Sequence, residues 1–126
     1  MMKADTLFYN TLLEHHKQPF DWKTNNCGLF VAKIYSKLLN KDFVSDFDGD
    51  YHDKETAFDY IKAKGGWENI LCNAGFAKRT GKDIHAGDIV ICENAIGVYD
   101  GFKGLFAGGA VRKYSRIESA YHYTKE

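Results

Sequence analysis

The chain changes its hydrophobic period once, and that change restricts its architecture more than any other feature. Up to about residue 73, apolar residues recur at helical spacing. From residue 88 they fall into short β-prone runs separated by Asn and Gly turns. The spacing predicts a first helix from about Ala4 to His16, with Leu7, Phe8, Thr11 and Leu12 facing inward and Pro19 closing it. His15 and His16 then complement the negative end of that helix. A second helix opens at Cys27 and runs to about Leu39, with Phe30, Val31, Ile34, Tyr35 and Leu38 on one face. Asn25 or Asn26 is its natural N-cap, and Asn40 its stop. An acidic, turn-rich stretch from Lys41 to Asp53 precedes a third helix over Lys54–Lys64. Ala57, Phe58 and Ile61 mark that helix's apolar face, and Gly65-Gly66 closes it. A short helix over Trp67–Asn73 and a polar connector, Ala74–Ala86, complete the first part.

The β-prone runs are Asp88–Cys92, Ile96–Tyr99, Gly104–Ala107 and Ala110–Tyr114, followed by Ala120–Tyr123, which alternates like an edge or closing strand. Ile89 and Ile91 share one face of the first run, Val90 and Cys92 the other. That run is therefore expected to be central and covered on both sides. Helices first and an antiparallel meander afterwards is an α+β order, with the helices on one side of a sheet or half-barrel. No repeat or linker interrupts the 126 residues, so we expect one domain over 1–126, large enough to bury a single core.

Charge and composition exclude several functions. Lys+Arg and Asp+Glu balance at 17 each, so no net field draws the chain to nucleic acid or an anionic membrane. The apolar stretch around Ile89–Cys92 is far too short to span a bilayer, and the N-terminus lacks the continuous apolar core of a secretory signal. These features lead us to expect a soluble protein made in a cytoplasm, with no membrane insertion. Cys27, Cys72 and Cys92 form no CxxC pair, so neither a zinc site nor a disulfide framework is expected, and no metal or other cofactor. Cys72 and Cys92 sit among apolar neighbours and read as inert core residues.

Other short motifs fail on spacing. Asp46-Phe47-Asp48-Gly49-Asp50 starts like a calcium loop, but Tyr51 stands where the turn glycine belongs and Ala57 where the bidentate Glu belongs. Lys78-Arg79-Thr80-Gly81-Lys82 lacks the spacing of a phosphate loop. Gly101, Gly104, Gly108 and Gly109 read as turn glycines, with no helix after them to receive a phosphate. Phe20, Trp22, Tyr51 and Trp67 lie near loops and element ends. They could line a peptide cleft, anchor a subunit interface or cap the core.

Cys27 carries the chemistry. Its spacing to Phe30 and Val31 puts the sulfur on the buried face and in the first helical turn. Unpaired backbone N–H groups and the positive end of the helix dipole favour a thiolate there. The dipole contributes about 1 kcal/mol at an exposed site, less than one pKa unit, and burial opposes it. Without an imidazole beside it, the thiol is expected to stay protonated and to react slowly.

Three segments together, Asn26-Cys27-Gly28-Leu29-Phe30, Ala86-Gly87-Asp88-Ile89-Val90 and Ala95-Ile96-Gly97-Val98-Tyr99, resemble the NlpC-type papain-like cysteine peptidases of the cell wall. Gly49-Asp50-Tyr51 and the terminal aromatic strand make the chain most similar to a phage-borne domain of unknown function in that superfamily, over about residues 18 to 123. The resemblance implies a papain-like, NlpC-like fold with N-terminal helices packed on a roughly five-stranded antiparallel sheet. It implies Cys27 as the nucleophile position and a catalytic His at the start of the second core strand, where this chain has Ala95. The third, orienting residue would fall near Phe106 or Ala107, neither of which can hold an imidazole. Hydrolysis by a thiol needs a base that later protonates the leaving amine, and His52, His85 and His122 are the remaining candidates. The leading expectation is a non-catalytic virion or tail-associated structural protein of a phage, a degenerate peptidase whose partners are other phage structural proteins. The alternative is an active peptidoglycan endopeptidase or amidase with Cys27 as nucleophile and a displaced His. A further alternative is a phage protein that binds a host factor. The corresponding locations are the virion tail or the host cytoplasm.

Overall fold

The computed structural model describes residues 2–47, 49, 51–80 and 83–124. Asp48 and Asp50 of the acidic turn, and Gly81 and Lys82 of the basic loop, lie outside the described residues. Five helices precede or flank the first strand: α1 (Met2–His16), α2 (Cys27–Leu39), α3 (Val44–Phe47), α4 (Lys54–Ala63) and α5 (Trp67–Asn73). Six strands follow: β1 (Phe76–Lys78), β2 (Ile89–Cys92), β3 (Ala95–Tyr99), β4 (Lys103–Phe106), β5 (Ala110–Lys113) and β6 (Ser119–Tyr123). They form one antiparallel sheet in the order β1-β6-β2-β3-β4-β5. The fold is α+β. No helix among the described residues is long and apolar enough to cross a membrane.

α2 is the helix around which the rest is organised. Asn26 is extended, and its side chain accepts from the Leu29 N–H, satisfying one of the orphan donors of the first turn. Asn40 takes the left-handed conformation and donates its N–H to the Ser36 carbonyl, which ends the helix. Phe30, Val31 and Ile34 are fully buried. α2 lies on β3 and is flanked by α1 and α3.

β2 is central, between β6 and β3, and its four residues are all buried. Ile89 and Ile91 join the main core under the helices, whereas Val90 and Cys92 join a second cluster with Tyr99, Phe106 and Ala120 on the opposite face. That division follows from the two-residue period of a strand.

Several expectations need correction. The sheet has six strands rather than five, because the polar connector contains β1, a three-residue strand pairing Phe76 with Tyr123. Three residues are too few to show a period, yet Phe76 is buried and drives the pairing. β6 is consequently an inner strand and not an edge. The acidic stretch contains α3, which forms because Phe43 and Phe47 both reach the core. Leu7 is 42% exposed and Phe58 50% exposed, so the apolar faces assigned to the first and third predicted helices are only partly covered. Cys72 is exposed on α5 and is not a core residue, whereas Cys92 is buried.

Candidate functional site

The loop before α2 is built by two buried asparagines. Asn25 donates its amide to the carbonyls of Gln18 (3.3 Å) and Pro19 (2.9 Å), and its backbone pairs with Asp21. Asn26 donates to the Trp22 carbonyl at 2.8 Å, while its side-chain oxygen accepts from Leu29 N–H (2.9 Å) and from the Tyr51 hydroxyl (3.1 Å). Asp21 tightens the turn by accepting from the N–H groups of Lys23 and Thr24, which holds its carboxyl below the usual range. The chain therefore enters α2 in one conformation, and Cys27 is delivered to a set place.

Cys27 lines a cleft of about 910 Å³. α4 forms one wall with Ala57, Phe58 and Ile61. Phe20 and Trp22 of the loop before α2 and the β2–β3 hairpin, Glu93, Asn94 and Ala95, line it as well. Trp67 seats the hairpin by donating its indole N–H to the Asn94 carbonyl at 3.0 Å. Glu93 and Asn94 both have positive φ, 52° and 67°, as the two-residue turn demands. This is a costly conformation for a residue other than glycine. Three contacts hold it: the Trp67 bond, the Glu118 carboxylate accepting from the Glu93 N–H at 2.9 Å, and the Arg116–Glu93 ion pair.

Cys27 is half-buried and packs against the main core. Burial pushes its thiol pKa up. The backbone N–H groups of Ile96, Gly28 and Cys27 itself pull the other way without reversing the shift. The sulfur thus meets the start of β3 through the Ile96 backbone, and the residue before it is Ala95.

None of the three candidate bases lines this cleft. His52 is exposed beside Asp53, with 3.9 Å between ring nitrogen and carboxylate. His85 stands on the loop before β2, 3.0 Å from the exposed Asp83 carboxylate. His122 lies on β6 between Tyr121 and Tyr123. Those two turn toward the helices, so His122 faces the other side with Ala120, and the sheet separates it from Cys27. Phe106 and Ala107, at the place of the orienting residue, are buried apolar residues. Among the described residues, no histidine lines the cleft and no group of carboxylate, thiol and imidazole side chains is arranged to hold a metal ion.

Asp88, in the Gly-Asp pair opening the first core strand, has a structural task. It is 3% exposed and accepts a two-pronged contact from Arg79, together with the His85 N–H at 3.0 Å. Sequence reasoning missed Arg79 in this role, and also the bonds of Asn25 to the preceding loop, the Glu118 contact and the Trp67–Asn94 bond. Two adjacent asparagines before a helix are a legible signal for a capped entry. The other partners are distant along the chain and leave no local trace.

The family described as a domain of unknown function (DUF6950) matches residues 2–122, and the chain belongs to it. No curated protein and no solved structure matches the chain.

Proposed function

We propose that the chain is a non-catalytic structural protein of a phage virion or tail, built on a degenerate NlpC-like peptidase fold, whose cleft binds rather than cleaves. One observation carries the loss of catalysis: no imidazole lines the cleft that Cys27 lines, and burial raises the thiol's pKa. A protonated, half-covered thiol attacks an amide poorly, and nothing there can return a proton to a leaving amine. The cleft itself remains, lined by Phe20, Trp22, Phe58 and Trp67, which suits recognition of another chain. The virion setting is supported by the similarity of the Cys27, Gly-Asp and Ile96–Tyr99 segments to the phage-borne branch of the superfamily.

Incubation with purified peptidoglycan, followed by chromatography of the released peptides and an assay for new amino groups, tests the proposal. The expected result is no product above background, with wild type and Cys27→Ser indistinguishable. Turnover that disappears in a folded Cys27→Ser protein overturns it. Substituting His52, His85 and His122 singly then identifies the base from the change in the pH–rate profile.

A further inference from the structure

We infer that α4 is a flap over the Cys27 cleft, rocking outward between buried anchors at Tyr51 and Trp67. The device governs entry to the cleft, whatever fills it, and stands apart from the question of catalysis.

Tyr51 and Trp67 are each 4% exposed, and of the residues between them Ala57 alone is buried. α4 buries one of its ten residues, whereas the shorter α5 buries three of seven. Among the described residues no other helix or strand packs along α4, while α1 lies on α2, α2 on β3 and α5 on β1. A segment with so little buried apolar surface opens at a small fraction of the cost of global unfolding.

The helix can move as a body because its ends are finished from within. The Asp53 carboxylate accepts from the Thr56 N–H at 2.8 Å, and the Thr56 hydroxyl accepts from the N–H groups of His52 (3.0 Å) and Asp53 (3.2 Å). At the other end Gly65 donates its N–H to the Lys62 carbonyl and Gly66 to the Ile61 carbonyl. These bonds satisfy the orphan groups of both terminal turns and travel with the helix. The joint to α5 is a glycine pair with φ of 91° and 88°. Gly66, with ψ of 168°, occupies a region confined essentially to glycine. Residues of this kind absorb the backbone rotation of a hinge. The Asn69 amide of α5 spans the joint, donating to the Lys64 carbonyl at 2.6 Å.

Ala57, Ile61 and Tyr60 hold α4 down. Ala57 is buried, Ile61 packs on the margin of the main core, and the Tyr60 ring lies 5.5 Å from that of Tyr51, whose hydroxyl donates to Asn26. Phe58 lines the cleft yet stays half exposed, so its burial does little to keep the flap shut. Because Ala57, Phe58 and Ile61 line the same cleft as Cys27, outward rocking of α4 uncovers the thiol.

Thiol labelling tests this, with Cys92, buried on the far face of the sheet, as the internal reference. Iodoacetamide is applied at about pH 8.5, near the pKa of a free thiol, over a series of urea concentrations below the unfolding transition. Peptide mass spectrometry follows each cysteine. Cys92 reacts only through broad unfolding, so its rate should climb with urea, whereas Cys27 reacts through the flap and should hardly respond. Gly66→Ala puts a Cβ where only glycine is at ease, which favours rotation of the joint. Tyr60→Ala removes a tie that does not line the cleft, so it uncovers the sulfur only by freeing the helix. Each variant should speed Cys27 labelling by about fivefold or more and leave Cys92 unchanged. Circular dichroism verifies folding, and Tyr60→Ala decides alone if Gly66→Ala does not fold. A Cys27 rate that the variants leave unchanged, variants that speed Cys27 and Cys92 alike, or a Cys27 rate that rises with urea in step with Cys92 overturns the inference. None of these outcomes touches the non-catalytic reading, which falls only to Cys27-dependent turnover.

Discussion

Replacing Gly28 with Ala sets two effects of opposite sign against each other at the second residue of α2. Ala is the better helix former by about 1 kcal/mol, so local propensity favours the substitution. The surroundings oppose it. A Cβ at Gly28 would stand 2.7 Å from the Phe47 carbonyl oxygen and 3.1 Å from both the Trp67 ring and the Tyr51 hydroxyl. The nearest obstacle is backbone, at the end of a short helix pinned by Phe43 and Phe47, which are 0% and 1% exposed. It cannot retreat without moving two core aromatic rings. Overpacking costs roughly 1–3 kcal/mol, and a backbone obstacle that cannot retreat puts this case at about 2–3 kcal/mol, so after the propensity gain of about 1 kcal/mol we expect a net loss of about 1–2 kcal/mol. Urea unfolding followed by tryptophan fluorescence should show a lower midpoint with an unchanged slope. Emission from Trp67, whose ring the new Cβ would crowd, should report the local shift. A Gly28→Ala protein as stable as wild type, or more stable, would refute the packing account.

Two further outcomes follow from the thiols and the turn carboxylates. With iodoacetamide at neutral pH, exposed Cys72 should react first and Cys27 slowly, its rate climbing only at alkaline pH because burial holds its pKa above the ordinary value. Fast, selective labelling of Cys27 at pH 7 would contradict this and revive the enzyme alternative. Asp21 and Asp53 accept backbone N–H bonds that hold their carboxyls below the usual range, and at Asp100 burial pushes up but the N–H groups of Lys103 and Phe102 and the Lys103 ammonium outweigh it. A carboxyl lowered in the folded state stabilises it above the unfolded-state pKa. That stability is lost as pH falls from about 4 toward the lower folded value. Carbon-detected titration should place all three midpoints below about 3.9, with the urea midpoint declining over the same interval. Midpoints at or above the ordinary value would show that the turns do not depend on the ionised form.

Local pattern alone determined the parts of this molecule that repeat. The 3.6-residue spacing from Cys27 through Leu38, with Asn26 before it and Asn40 after it, specified α2 nearly to the residue, because capping and amphipathicity are properties of neighbouring positions. The two-sided apolar run Ile89–Cys92 likewise marked the central strand, since only a strand covered on both faces hides four consecutive apolar side chains. Tertiary structure decided what depends on distant partners. β1 exists because Tyr123 lies opposite Phe76, α3 because Phe43 and Phe47 reach the core from an otherwise acidic stretch, and Asp88 is satisfied by Arg79. The fate of Cys27 divides the same way. The chain order placed its sulfur in the first turn of a helix and showed Ala95 where the resemblance implies a base. Only the packed sheet put His122 on the far face, His52 and His85 out toward solvent, and a cleft with aromatic walls over a thiol whose pKa burial has raised.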